Sequence, residues 1–255
     1  MPGPETLGRI SQRSNSTALA RRVKRGIRRI PGVATLLRRW DERRLREIER
    51  QGGADERAST RWRAAAPDTG LTWGMRLSGD PLVDAASRYG ALGDDRRVLE
   101  IGPGYGRLLR SLRERGLGFA EYTALDLSER NVSHLREELG SERVRIVHGD
   151  AATVTLERPV DTVLSFLTFK HIYPSFEGVL ANLRPQLAPG GLVMFDLIEG
   201  DRQYFQLDGV TYIHEYTRGE VEEILDRVSL ELVAFDELVH APGYARLLVV
   251  ARNPG

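Results

Sequence analysis

The chain has no cysteine among its 255 residues. Disulfides, Cys-ligated metal sites and cysteine nucleophiles are therefore excluded. Lysine is nearly as scarce. Lys24 and Lys170 are the only two, so arginine carries almost all the positive charge. No apolar run approaches the ~18 residues that a membrane-spanning helix needs. The N-terminus has no apolar segment of the kind that opens a secretory signal. These absences make a cytoplasmic protein the expectation. At this length a full core can be buried, in one or two domains.

What is present is unevenly charged. The formal net charge is +1, but residues 1–63 hold 17 Lys+Arg against 7 Asp+Glu, leaving 20 against 29 in the rest. The pattern suggests a basic, partly helical N-terminal arm over 1–63 and a mildly acidic domain over 64–255. Residues 1–16 show little periodicity, residues 17–30 are basic, and Pro31-Gly32 interrupts them. From about 34 to 50 a helix is expected. Val33, Leu37, Trp40 and Ile48 fall near one face, and Glu42–Arg46 is an i,i+4 pair. The arm has three open readings: packing on the domain or on a neighbouring subunit in a homo-oligomer, contact with an anionic membrane, or contact with nucleic acid. The acidic domain by itself is a poor grip for a long polyanion.

The most informative stretch is Val98-Leu99-Glu100-Ile101-Gly102-Pro103-Gly104-Tyr105-Gly106-Arg107. A short apolar run reads as a buried strand. It leads into a loop with glycines on alternate positions and then into a helix expected over 108–117. Glycines permit positive φ and close approach of a ligand, and the helix N-terminus adds unpaired N–H donors. A dinucleotide fingerprint wants a third glycine at position 107, where this chain has Arg107. A carboxylate at Glu100 repels a pyrophosphate and suits an ammonium group.

Glu100 to Gly106 resembles the first motif of class I S-adenosylmethionine (SAM)-dependent methyltransferases, small-molecule branch, and the resemblance runs over roughly residues 70 to 253. It implies a Rossmann-like, doubly wound α/β sheet of seven strands with the last antiparallel, to which the arm is a helical extension. It also implies SAM as cofactor, with S-adenosylhomocysteine (SAH) as product. The implied cofactor residues are Glu100, Gly102, Pro103, Gly104 and Gly106 on the loop, Asp126 and Leu127 after the second strand, Asp150 and Ala151 after the third, and Phe166 after the fourth. Asp126, 24 residues beyond Gly102, has the place of a ribose-binding acid. Asp150 would accept from the adenine amine, and the Ala151 N–H would face a ring nitrogen. Trp73 and Arg76, before the first core helix, are candidates to cover the cofactor or acceptor.

The order of the rest supports that sheet. Asp80-Pro81 reads as the start of a helix over 81–92, with Asp80 as its N-cap. Strands are expected at 98–101, 121–126, 144–148, 160–165, 192–197, 230–238 and 244–252, with helices at 128–139 and 175–188 and a further helix, capped by Thr217 with Glu220 completing a capping box, running through about 228. Residues 61–79 read as a loop. Asp208-Gly209 reads as a hairpin turn, placing Tyr212, His214 and Tyr216 on one face.

His171 and His214 are candidate general bases, since a neutral imidazole can take a hydroxyl proton. Lys170 is a third candidate. Asp196 and Glu199, at the end of the fifth strand, are candidates for substrate hydroxyls or a divalent cation, although spacing alone establishes no metal site. Ser165-Phe166-Leu167-Thr168 stands where the family's nucleic-acid amino-methylating members carry an Asn/Asp-Pro-Pro-aromatic run. The expected activity is O-methylation of a small polar molecule, a sugar or a secondary metabolite. Alternatives are methylation of an RNA or lipid-linked acceptor held by the arm and, from another class, an NAD-dependent sugar oxidoreductase. The last lacks both the third glycine and a Tyr-x-x-x-Lys pair.

Overall fold

The computed structural model describes residues 33–67 and 77–255. The chain divides after Arg50 into two units. In the first lies helix α1 (Val33–Gln51), along which Arg46 pairs with Glu42 at 3.8 Å.

The second unit begins with a helix that the sequence reading passed over, α2 (Ala54–Arg63), so the loop expected from residue 61 starts inside a helix. Gly53 precedes it in the left-handed conformation, and Ala54 and Ala58, four apart, are buried. Asp55 and Glu56 in its first turn and Arg61 and Arg63 in its last complement the helix dipole. Next comes α3 (Asp80–Arg88). Its N-cap is Gly79, so Asp80 is the first helical residue rather than the cap. The Asp80 carboxylate instead receives the Ser78 hydroxyl at 2.7 Å and the Ser111 hydroxyl. The helix stops four residues early, where Gly90 takes φ 69°.

The sheet follows: β1 (Gly93–Ile101), α4 (Arg107–Glu114), β2 (Phe119–Asp126), α5 (Glu129–Leu139), β3 (Val144–His148) and β4 (Val160–Ser165). Then come a 3₁₀ turn (Phe169–His171), α6 (Glu177–Leu183) and β5 (Leu187–Glu199). A hairpin of β6 (Gln203–Phe205) and β7 (Tyr212–Tyr216), α7 (Arg218–Arg227), β8 (Glu231–Ala241) and β9 (Tyr244–Arg252) complete it. The main sheet runs β3-β2-β1-β4-β5-β9-β8. The five strands β1 to β5 are mutually parallel, and β9 runs antiparallel to both β5 and β8. This is the expected seven-stranded architecture. The β6–β7 hairpin is an addition, and β7 lies parallel to the last two residues of β5.

Strand alternation explains the two cores. Leu99, Val163, Val193, Phe195 and Val249 face one side, against Leu180 of α6 and Ile224 of α7. Val98, Tyr122, Leu164, Met194 and Val250 face the other, against Leu82, Leu108 and Leu135 of α3, α4 and α5. Local chemistry sets most boundaries. Helix α4 ends at Glu114, short of the expected 117, because the chain turns at Gly116 with φ 64°. The helix expected over 175–188 tightens after Leu183 into a 3₁₀ turn around Pro185, which has no N–H for the helical ladder. Ser128 and Thr217 cap α5 and α7, accepting from Asn131 N and Glu220 N, both at 3.2 Å. In the hairpin loop, Asp208 accepts from Val210 N at 3.0 Å and Thr211 N at 2.9 Å.

Candidate cofactor and acceptor site

The parallel strands end along one edge, and a cavity of about 850 Å³ opens there, between Ile101, Asp126, Phe166 and Ile198. Open α/β sheets place ligands at this edge. The volume lies toward the upper end of the ~300–1,000 Å³ of small-molecule sites.

The glycine loop forms one wall. A Cβ at Gly102 would sit 2.4 Å from Thr168 Oγ1, and its φ is 66°, so only glycine fits beside the turn after β4. Gly104, also at positive φ, has nothing within 4 Å of its Cβ direction. Its open face lets a ligand lie against bare backbone. Asp126 joins this wall to the next. Its carboxylate accepts from Ser128 N at 2.8 Å and Gly104 N at 3.2 Å, and Asn131 Nδ2 lies 3.4 Å away. Burial nonetheless raises its pKa above the usual aspartate value. At the rim, Asp150 accepts from Ala152 N at 2.9 Å and lies 3.7 Å from Arg63 of α2.

The floor is the turn after β4. Leu167 there has φ 61°, an uncommon conformation for a branched residue. Two buried charges hold it: Asp196 accepts from Leu167 N, and Lys170 Nζ donates to Leu167 O. Burial brings the Lys170 pKa down to about 7. His171 stands next to it, with Nδ1 2.8 Å from Tyr212 O, which fixes the proton on Nδ1 and leaves Nε2 as an acceptor. The Trp62 ring lies over the imidazole at 4.3 Å between centroids. Burial and the Lys170 charge hold His171 well below the usual histidine range, so it is neutral at pH 7.

Of the residues named from sequence, Gly102, Pro103, Gly104, Asp126, Leu127, Asp150, Ala151, Phe166, Lys170 and His171 line this cavity. Gly106 supports it from behind: it caps α4 at φ 79°, and a Cβ would meet Leu139 and Leu135 at 2.6 and 2.8 Å. Trp73 and Arg76 lie outside the described residues.

Four of the residues named from sequence do not line this cavity. Glu100 is off the wall. It alternates to the same side as Val98, accepts from Tyr122 OH at 2.5 Å, and is pushed up to about 7 by burial, so it is turned toward Tyr122 rather than into the cavity. His214 is also off the wall and packed. Its Nδ1 meets Pro174 O at 3.0 Å, its Nε2 lies 2.9 Å from Glu220 Oε1, and its ring stacks on Tyr216 at 3.7 Å. Burial pushes it down to about 4. Asp196 is buried among Leu167 N, Lys170 and His240 rather than facing an acceptor. Glu199 pairs with Arg218 at 2.9 Å on the surface. Among the described residues no cluster of three or more His, Asp or Glu is placed to hold a metal ion, and no helix is long and apolar enough to cross a membrane.

The sequence reading missed two groups. Asp55, Trp62 and Arg63 of α2 line the cavity, and the Gly53 turn with buried Ala54 and Ala58 was the signal for that helix. Arg107 was read only as a missing glycine, yet it lines the cavity together with Tyr244 and Arg246 of β9.

Comparison with known proteins agrees with this geometry. Residues 98–191 match the family model described as a methyltransferase domain. Over 98 residues the chain is 32% identical to a malonyl-[acyl-carrier protein] O-methyltransferase of Priestia megaterium, covering 38% of this chain and 35% of that protein. Over 148 residues it is 28% identical to a phthiotriol/phenolphthiotriol dimycocerosates methyltransferase of Mycobacterium ulcerans, covering 56% and 54%. The chain thus spans about a third to a half of the length of these curated relatives. In fold it is similar to the Burkholderia thailandensis 1,6-didemethyltoxoflavin-N1-methyltransferase, whose structure holds 1,6-didemethyltoxoflavin and SAH, with TM-score 0.62 and 24% identity over 78% of this chain and 87% of that one. The matched segment, with the sheet and glycine loop built around it, is thus similar to a methyltransferase domain in sequence and in fold.

Proposed function

We propose that this chain methylates a hydroxyl oxygen of a small polar acceptor, a sugar or a secondary metabolite, with SAM as methyl donor. When bound, SAM supplies an electrophilic methyl group. The residues present fit such a ligand: the bare face of Gly104, the Asp126 carboxylate beside it, and Asp150 with Ala151 at the rim. Asp126 would receive the ribose hydroxyls, and Asp150 the adenine amine.

The chain's own contribution is mainly to position an acceptor and exclude water. The observation that carries the oxygen assignment is His171. It faces the cavity, its tautomer is set by Tyr212 O, and its Nε2 is a neutral acceptor. A hydroxyl bound there gives its proton to Nε2 as it gains the methyl group. Tyr204, Gln206 and Thr211, also on the wall, offer polar partners to a hydroxylated acceptor. Lys170, held on Leu167 O, reads as the prop of the floor rather than the base. The names of the relatives span a carboxyl-bearing carrier protein and a lipid, so a lipid-linked acceptor is the second reading, favoured by the charge of the arm.

The test is SAH formation by the full chain from methyl-labelled SAM with a panel of hydroxylated small molecules. In His171→Ala, SAH affinity should stay near wild type while turnover falls by about 10²- to 10⁴-fold. Undiminished turnover in that variant removes the base assignment.

A further inference from the structure

Arg107 is 8% exposed, and its buried Nη1 has no hydrogen-bond partner. Its other terminal nitrogen, Nη2, lies 3.3 Å from His240 Nδ1, and His240 Nε2 lies 2.8 Å from Asp196. That chain ties the guanidinium to β8 and β5, and Arg107 lines the cavity. Arg246, on the same wall, stacks on the Tyr244 ring at 4.3 Å and has a buried Nε without a partner. Lys170 stands close enough for both guanidinium charges to act on it. Two buried acids act on these groups: Asp196, already engaged by His240 and Leu167 N, and Glu100, which accepts from Tyr122 and also faces the Arg107 charge. The other acids on the wall, Asp55, Glu56, Asp126 and Asp150, belong to α2, β2 and the turn after β3.

A buried guanidinium nitrogen left without an acceptor is costly. Its planar donor fork matches an oxyanion such as carboxylate or phosphate. Strand order says which ligand brings it. Asp126 ends β2, and Arg246 lies on β9, four strand spacings away across β1, β4 and β5. At ~4.8 Å per spacing this is about 19 Å, on the far side of β4 from the ribose and adenine residues.

We infer that the acceptor carries an anionic oxygen group, a carboxylate or a phosphate, which docks on Arg107 and Arg246 at the β9 end of the cavity with Lys170 beside them. This rests on the methyl-transfer reading and narrows its substrate class to hydroxylated acids or phosphates. The anion anchors the acceptor at one end while its hydroxyl lies toward His171. No bond changes at the anchor.

The experiment is calorimetry on the full chain saturated with SAH, so that the product's own carboxylate is already seated. Matched probes are titrated: glucuronate against glucose, 3-hydroxybenzoate against 3-hydroxybenzamide, and glucose 6-phosphate as the phosphate arm. In at least one set the anion should bind tenfold or more tightly than its neutral partner. Arg246→Gln, at a half-buried position, should remove that preference while SAH affinity stays within twofold. Arg107→Gln should do the same if it folds, and the Arg246 variant decides the matter if it does not. Equal binding within every set, or no binding by any probe, overturns the inference. So does a loss of SAH affinity in Arg246→Gln, which would give the cations to the cofactor. If SAH does not bind the wild-type chain, the methyl-transfer reading itself falls, a result separate from these.

Discussion

Asp126 offers the sharpest test of the cofactor end. Two variants separate its roles. Asp126→Asn keeps an oxygen for Ser128 N, 2.8 Å away, but removes the charge. Asp126→Ala also leaves Ser128 N and Gly104 N without their acceptor. A charge-assisted hydrogen bond to a ribose hydroxyl contributes about 1–3 kcal/mol, so both variants should bind SAH about 5- to 150-fold more weakly. The alanine variant should in addition lose about 1–3 kcal/mol of stability through the stranded amides. For a chain of this size that lowers Tm by about 2–4 °C per kcal/mol. Calorimetry with SAH and thermal denaturation read the two effects separately. A folded variant that binds SAH as tightly as wild type would show that the Asp126 carboxylate serves only the loop, and the ribose assignment would be withdrawn.

Three further predictions concern the framework. Glu100 has its pKa raised by burial from 4.5 to about 7. Its neutral form is favoured in the fold, so its contribution is fully present below pH 4.5 and is lost as pH rises through 7. The span corresponds to about 3 kcal/mol. Glu100→Gln should flatten that decline and exceed wild type in Tm at pH 8, and an unchanged pH profile refutes the burial argument. Gly106→Ala should destabilise the domain by about 1–3 kcal/mol in denaturant melts, because φ 79° and contacts of 2.6 and 2.8 Å both oppose a Cβ. Asp196→Ala leaves Lys170 and His240 without their acid and frees Leu167 N. It should cost about 3–5 kcal/mol, and a variant as stable as wild type would return Asp196 to the candidates for substrate contact.

The histidines show how far local pattern reaches. His171 and His214 look alike in the sequence, each beside aromatic residues near the expected acceptor pocket. One lines the cavity with a free Nε2. The other is clamped between Pro174 O and Glu220, 40 and 6 residues away in the chain. Nothing within a few residues of either distinguishes them, because the partners that decide come from other elements. Lys170 is similar. Its scarcity in the sequence drew attention to it, but the left-handed Leu167 that it holds is visible only in three dimensions.

By itself the sequence determined the features that depend on near neighbours. Apolar alternation specified the strands and their two buried faces. Alternate glycines specified the loop, and Ser128 and Thr217 specified where α5 and α7 begin. Each is a short-range matter of backbone torsion, side-chain period or a cap within one turn. Tertiary structure alone decided what meets in the cavity. It turned Glu100 to Tyr122, laid Trp62 over His171, and tied Arg107 to His240 across 133 residues. Those contacts exist only once the parallel strands stand side by side, since their order in space differs from their order in the chain.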